Sequence, residues 1–492
     1  MTDLRILLFC SPEIAPYAKT GGLADVAAAL PEALRAMGHD IRLFMPFYRC
    51  TREQAGPLGL VARDVPLLVG DRTYHATLWE GTTVGGVPIY FLEKDEFFDR
   101  SYLYGTPSAD YQDNADRYIA YCQAVLPLCR HLDWFPNILH GHDWQAALIS
   151  AYFHHLWSYQ PDFARSATAF TIHNLSYQGI FPASTFALTQ LPPRAFGVDG
   201  LEFWGGCNFL KAGLVYSNLL TTVSPRYSQE IQQPELGVGL DGVLRDRRGH
   251  LVGILNGVDN RVWNPELDPL IAAQYAPGNM EGKHRCKEAL LKELDFPHDS
   301  WSYPLLAMIT RLVPQKGMDL LREILDDLLA LNVFLVILGT GEPETELWLK
   351  EKADQHRSKL RVVLAFDDGL AHRMEAGADI FLMPSRFEPC GLNQMYSLRY
   401  GAIPVVHAVG GLDDSVQDVM LNPRSGTGFK FYQYTAFDFF YTTRSALELY
   451  DDREKWRQLQ QRGMLEDFSW ERAAKAYLQG YENALEDRRA SG

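Results

Sequence analysis

No segment of this chain is apolar for long enough to cross a bilayer, no two cysteines stand in CxxC spacing, and positive charge is in deficit. Each shortage excludes something. The first apolar run, Ile6 to Cys10, is broken by Pro12 and Glu13, so it is too short for a span and short for a secretory core. An unexported, cytoplasmic protein with no membrane partner is therefore expected. Seven cysteines, an odd number scattered from Cys10 to Cys390, rule out a fully paired disulfide framework and fit a reducing compartment. With 46 Lys and Arg against 61 Asp and Glu, the formal charge of −15 opposes binding to a phosphate backbone, so nucleic acid is not an expected partner. Low-complexity tracts, blocks of like charge and repeats of roughly 20–50 residues are also missing, which removes tails and solenoids from consideration.

What remains is ordinary globular material, 47% hydrophobic and 22% charged, and 492 residues are too many for one compact core. Two large domains follow. Short apolar runs at 6–9, 41–45, 87–91, 138–140, 169–172 and 219–223 read as buried parallel strands, with helical patterns between several of them. Leu23, Val26, Ala27, Leu30, Leu34 and Met37 recur on one stripe and predict the first helix, with Gly38 as its stop. Turn chemistry at Asn256-Gly257-Val258-Asp259 breaks the rhythm, and a second series opens: strands at 305–309, 333–338, 361–366, 380–383 and 403–406, with a helix at 318–330. Both halves read as doubly wound α/β sheets, whose ligands sit at the carboxyl ends of the strands.

The loops at those ends carry the candidate chemistry. Lys19-Thr20-Gly21-Gly22 stands just before a helix start, where backbone N–H groups and the positive helix end can face an anion and Lys19 adds a full charge. Alone it is equally a plain turn, and it is neither G-x-G-x-x-G nor a P-loop. After the strand at 305–309, the run Thr310 to Gly317 places Arg311 and Lys316 in a loop marked by Pro314 and Gly317. A guanidinium fork with an ammonium suits a diphosphate; two solvated surface charges are the plain alternative. Pro384-Ser385-Arg386-Phe387-Glu388-Pro389-Cys390-Gly391 again follows a strand, and Glu388 can accept bonds from sugar hydroxyls or stabilise positive charge developing at an anomeric carbon. Cys390 reads as a small residue packed near the helix start, and Gly410-Gly411 as another close-approach turn. His140-Gly141-His142-Asp143 has no third or fourth ligand at metal-site spacing, and the chain has no Asp-X-Asp triplet. Tyr102, Tyr104 and Tyr111 are surface candidates for stacking on sugar rings.

Lys19 to Val26, Thr171-Ile172-His173-Asn174, Gly253 to Asp259, Arg311 with Lys316, and Ser385 to Gly391, in this order, resemble the motifs of bacterial glycogen synthases and plant starch synthases. The resemblance runs from about residue 5 past Phe468-Ser469-Trp470. It implies an α/β protein of GT-B architecture, with two Rossmann-like doubly wound domains at 1–256 and 257–466 facing a deep cleft, and a C-terminal stretch at 467–492 whose helix, expected at 470–485, crosses back to the first domain. It also implies a retaining glycosyltransferase that moves glucose from ADP-glucose to the non-reducing end of an α-1,4-glucan such as glycogen, with no metal and no cofactor. Carried over by motif, Lys19, His173, Arg311, Lys316 and Glu388 are catalytic, while Gly21, Gly22, Asp25, Asp143, Asn256, Cys390 and Gly391 bind substrate.

ADP is already a good leaving group, so this chemistry asks for charge stabilisation more than for proton donation. Front-face attack, with the leaving phosphate oxygen taking the acceptor proton, is the expected route to retention, and closure about a hinge near residues 256–260 is expected to shield it from water. Rival readings are a transferase using UDP-glucose or a small acceptor, a nucleotide-sugar epimerase, and a non-catalytic glucan-binding scaffold. The scaffold is disfavoured because Lys19, Arg311, Lys316 and Glu388 are all present. A dehydrogenase would need a dinucleotide fingerprint in the first βα turn, which is missing.

Overall fold

The structure, a computed structural model, describes residues 6–490 except residue 107. The chain divides into two compact units: Met1–Val223, Ser228–Gly257 and Trp470–Gly492 form unit 1, and Ser224–Tyr227 with Val258–Ser469 form unit 2.

In unit 1 the strand Ile6–Cys10 lies at the centre, paired in parallel with Arg42–Pro46 on one side and Ile138–His142 on the other. Beyond Ile138–His142 come Ala167–Ile172, Leu219–Thr222 and Leu251–Gly253; beyond Arg42–Pro46 comes Pro88–Glu93, all parallel. Strands such as Ile138–His142 and Ala167–Ile172 are buried along their whole length, as expected where both sheet faces are covered. An antiparallel hairpin, Gly59–Val69 with Arg72–Thr82, adds two strands beyond Pro88–Glu93 and is absent from the sequence reading. The predicted first helix is Gly22–Ala36, burying Leu23, Val26, Ala27, Leu30 and Leu34, and Gly38 supplies the left-handed residue (φ 94°) just beyond its end. The last helix, Trp470–Ala490, outruns the expected 470–485 and packs within unit 1 on Gly22–Ala36 and Ala167–Ile172. It buries Ala473, Ala474, Tyr477 and Tyr481, and a Cβ at Gly480 would sit 3.0 Å from a methyl of Leu219.

Unit 2 is built on a parallel sheet in the order Leu360–Val363, Phe334–Leu338, Leu305–Ile309, Ile380–Met383, Ile403–His407, Phe429–Phe431. Alternate residues serve opposite faces. Leu306, Met308, Leu335 and Ile337 pack with helix Met318–Ala330, whereas Leu305, Ala307, Phe334 and Val336 pack with helices Glu281–Glu293 and Asp368–Gly377. The strand expected at 361–366 ends at Val363 because its one neighbour, Phe334–Leu338, ends at the residue paired with it; Phe366 is left outside and exposed.

In the parallel part of each of these two sheets strand order reverses between two neighbours: Ile6–Cys10 and Ile138–His142 in unit 1, and Leu305–Ile309 and Ile380–Met383 in unit 2. Loops leaving adjacent strands in opposite directions open a crevice there, which is where such sheets bind ligands. Every predicted site residue except Asn256 lies in or near a loop leaving one of these four strands or, for His173, the strand next to them.

Candidate active site

The two switch-point loops of unit 2 are tied to each other by backbone and amide bonds. Asn393 Nδ2 donates to Ile309 O (2.7 Å), Arg386 N to Gln315 O (2.8 Å) and Gln315 Nε2 to Phe387 O (3.2 Å). Gly317, at φ 78°, passes so close to the second loop that a Cβ would lie 2.1 Å from Pro384 O, so glycine is required. This fit brings Lys316 Nζ to 2.5 Å from Glu388 Oε2, and Ser385 Oγ donates to the same oxygen at 3.0 Å. Glu388 is only 6% exposed. Both bonds fall on Oε2; Oε1 has none among the described residues. Gly410 and Gly411 close on the same loop, each with room for no Cβ: Glu388 O and Cys390 O would both lie 2.0 Å away. Gly391, at φ 70°, turns the chain toward the short helix Asn393–Arg399, and Cys390 is buried beside Gly411. Arg311, by contrast, is exposed, and its guanidinium has no ion pair or hydrogen bond among the described residues.

In unit 1 the loop after Ile6–Cys10 is organised by Glu13. Its buried carboxylate accepts from the Thr20 backbone N–H, from Thr20 Oγ1 (2.6 Å) and from the Tyr104 hydroxyl (2.6 Å). Thr20 is thus fixed while Lys19, Gly21 and Gly22 around it stay exposed. Lys19 Nζ meets Asp25 Oδ1 at 2.7 Å, but with side chains 47% and 33% exposed this pair contributes little and leaves Lys19 able to turn to a ligand. Gly21 caps the helix in an extended conformation with nothing within 4 Å of where a Cβ would be, so its bareness serves no contact inside the protein.

Across the switch point, Asp143 sits at the end of its strand with φ 55°, and its Oδ1 accepts the His173 N–H at 2.8 Å, joining two strand ends. His142 Nδ1 lies 3.0 Å from His173 Nε2, and the His142 ring stacks on Phe9. His140 has both ring nitrogens engaged, by the Tyr481 hydroxyl (2.9 Å) and Thr171 Oγ1 (2.6 Å), so it belongs to the core. Asn256 follows the strand Leu251–Gly253 and is buried, with its Oδ1 unbonded among the described residues. No grouping of three or more His, Cys, Asp or Glu suited to a metal ion occurs among the described residues. Nor is any described helix long and apolar enough to cross a membrane.

Burial sets the protonation states. It holds His140 and His142 well below the ordinary imidazole range and His173 down at about 3, because a charged ring would lose its hydration. The same cause pushes Asp143 up to about 7, against the lowering effect of the His173 N–H bond. Asp143 therefore holds a proton in the folded chain between about pH 4 and 7 that the unfolded chain releases, so its contribution to stability fades as pH rises through 7. His173 acts in the opposite direction: the unfolded chain binds the extra proton, and stability is lost as pH falls from about 6.5 toward 3. Histidine-selective NMR at about pH 5 is expected to show all three rings neutral, where free imidazole is mostly charged. A charged His173 at that pH would mean that its site is open to water.

Glu13 is the residue the sequence reading missed. Tyr104 is expected there on the surface; instead it is partly buried, because Glu13 needs its hydroxyl. The available signal was an acid placed directly after a strand that ends at the switch point.

Comparison with known proteins places this geometry in company. The starch synthase catalytic domain family matches residues 6–246, and glycosyl transferases group 1 matches residues 293–462. A glycogen synthase of Syntrophotalea carbinolica is 44% identical over 98% of this chain and 99% of its own, and one from an Anaeromyxobacter strain is 47% identical over 96% and 98%. Among solved structures, the catalytic domain of Arabidopsis thaliana starch synthase IV, bound to ADP and acarbose, is similar with a TM-score of 0.90 at 34% identity, covering 98% of this chain and 100% of that one. A sucrose-phosphate synthase from Thermosynechococcus elongatus, at 13% identity and a TM-score of 0.59, shares the fold.

Proposed function

Since the chain belongs to the glycogen and starch synthase family of glycosyltransferases, we propose that it elongates an α-1,4-glucan in the cytoplasm by moving glucose from ADP-glucose to a non-reducing end, with retention of configuration. The observation that carries this reading is the contrast within one loop: Lys316 is already matched to Glu388, while Arg311, five residues away, has no counter-charge among the described residues. A cation already paired beside one that stands free suits a diphosphate, and the ADP in the starch synthase IV structure supports the adenine nucleotide over the uridine one.

In this reading Arg311 and Lys316 neutralise the departing diphosphate, and Lys19 with the Gly21-Gly22 turn meets the donor phosphates and glucose. Glu388 holds the transferred glucose through its unoccupied Oε1. Asp25, Asp143, His173 and Asn256 complete the donor-sugar site, with Cys390 and Gly391 shaping the loop. A neutral His173 can donate or accept a hydrogen bond with a sugar hydroxyl but brings no positive charge. The acceptor hydroxyl attacks from the face the diphosphate leaves, and the departing phosphate oxygen takes its proton. Isolation of a covalent glucosyl-enzyme at Glu388 or Asp143 would overturn that route.

The test is incorporation of labelled glucose into glycogen, with ADP-glucose and UDP-glucose in parallel and a chelator present. Incorporation from ADP-glucose that survives the chelator is the expected result. A folded protein that binds glucan and uses neither donor would be a scaffold instead.

A further inference from the structure

Two exposed apolar residues of unit 1 share a backbone conformation that neither favours. Trp204 (φ 51°, 86% exposed) and Val238 (φ 47°, 46% exposed) both lie in the left-handed region, where a bulky or β-branched residue is an outlier. Trp204 and Gly205 (φ 80°) are the two central residues of the tight hairpin between Glu202–Phe203 and Gly206–Asn208. Positive φ at both positions is the type I′ pattern, which selects Asn-Gly or Asp-Gly. Tryptophan suits neither this turn nor contact with water. Strain of this kind persists where the surroundings enforce it, and it concentrates at ligand clamps.

The surroundings do enforce it. Glu202 Oε1 accepts the Gly205 N–H at 2.8 Å, and Lys211 Nζ donates to Val198 O at 2.6 Å and to Glu202 O at 2.5 Å. Gly239 packs so closely that a Cβ on it would fall 3.0 Å from Phe203 Cζ and 3.5 Å from Trp204 Nε1. Buried Gln178 joins the two pieces, donating to Val238 O (3.0 Å) and accepting from Asn208 Nδ2 (2.7 Å). It lies five residues past His173 on the loop leaving the strand Ala167–Ile172, and its neighbour Tyr177 is 55% exposed. Gln178 therefore joins the loop that follows His173 to the hairpin and to Val238, and the two segments carry the exposed aromatics Tyr177 and Trp204.

We propose that Trp204, with Val238 and Tyr177 on the segments that Gln178 joins to its hairpin, is a stacking platform for the acceptor glucan, engaging sugar rings away from the reacting end. A glucan has flat faces of C–H groups rimmed by hydroxyls, so it can lie on an indole face while its hydroxyls stay in water, and it carries no charge that would ask for a cation. The proposal rests on the glucan-elongation reading above.

Trp204→Asn tests it without threatening the fold, because asparagine is what the turn prefers. The thermal midpoint is expected to rise by about 2 °C, while the KM for glycogen rises about tenfold and the KM for ADP-glucose does not move. Trp204→Phe should restore most of the glycogen affinity. In a glycogen-containing native gel the wild type should be retarded and the Asn variant should run freely; this readout needs no catalysis. An unchanged KM for glycogen in an active, stabilised Asn variant would overturn the platform. So would loss of a dimer on sedimentation with the KM unaltered, which would give the face to a second copy of the chain. If the wild type transferred no glucose, the elongation reading would fail instead, and the gel would still decide whether Trp204 binds glucan.

Discussion

Glu388→Gln is expected to lower kcat by about 10²–10³ with the fold intact and the KM for glycogen near its wild-type value. Glutamine keeps the volume and one carbonyl-type acceptor, so Lys316 and Ser385 still have a partner. In the proposed reaction, what it removes is a negative charge beside the glucose that develops positive character as the diphosphate departs. That charge matters here because Glu388 is buried, where little water is present to replace it. It is also held in place beforehand: one carboxylate oxygen is occupied by Lys316 at 2.5 Å and Ser385 at 3.0 Å, leaving the other without a bond among the described residues. Steady-state incorporation with varied donor and acceptor, beside thermal unfolding, separates the outcomes. A loss under tenfold would remove Glu388 from the reacting centre, and a large rise in KM with kcat kept would make it a uniform binder.

Lys316→Ala is expected to strike both activity and stability. Without its ammonium, a carboxylate that is 6% exposed keeps only the Ser385 hydroxyl, and breaking a buried pair from one side costs about 3 kcal/mol. Activity should fall about 10²-fold or more, since in the proposed reaction the diphosphate loses a counter-charge as well. The double variant Lys316→Ala/Glu388→Gln divides these effects. It should regain most of the lost stability, because no unpaired charge is left inside, yet it should stay as inactive as the worse single variant. Urea midpoints for the four proteins, with kcat for each, close the cycle. A double variant as unstable as Lys316→Ala would show that Lys316 acts through packing and not through Glu388.

The sequence was most legible where one rule governed a whole element. Leu305–Ile309 and Met318–Ala330 coincide with their expected bounds because the strand is apolar on both faces and the helix carries paired leucines between clear turns. The hairpin Gly59–Val69 with Arg72–Thr82 was hidden by its own geometry. Only one face is buried, Arg63, Asp64 and Pro66 interrupt the alternation, and the register shifts twice between Leu60 and Val65. In the site, the loops could be read but their meetings could not. Lys316 and Glu388 stand 72 residues apart and Asp143 and His173 stand 30 apart, and strand order alone brings them together. Glu13 was illegible for a related reason: an acid becomes a buried organiser only once a tyrosine 91 residues away donates to it.

Because Trp470–Ala490 belongs to unit 1, the unit begun before unit 2 is finished only after it. The apolar stripe of Gly22–Ala36 waits for its cover, and His140 waits for the Tyr481 hydroxyl, until all of unit 2 has been synthesised. A nascent chain paused anywhere in unit 2 thus carries an open seam on its N-terminal half, the kind of surface a chaperone holds. Synthesis of Trp470–Ala490 is what seals it.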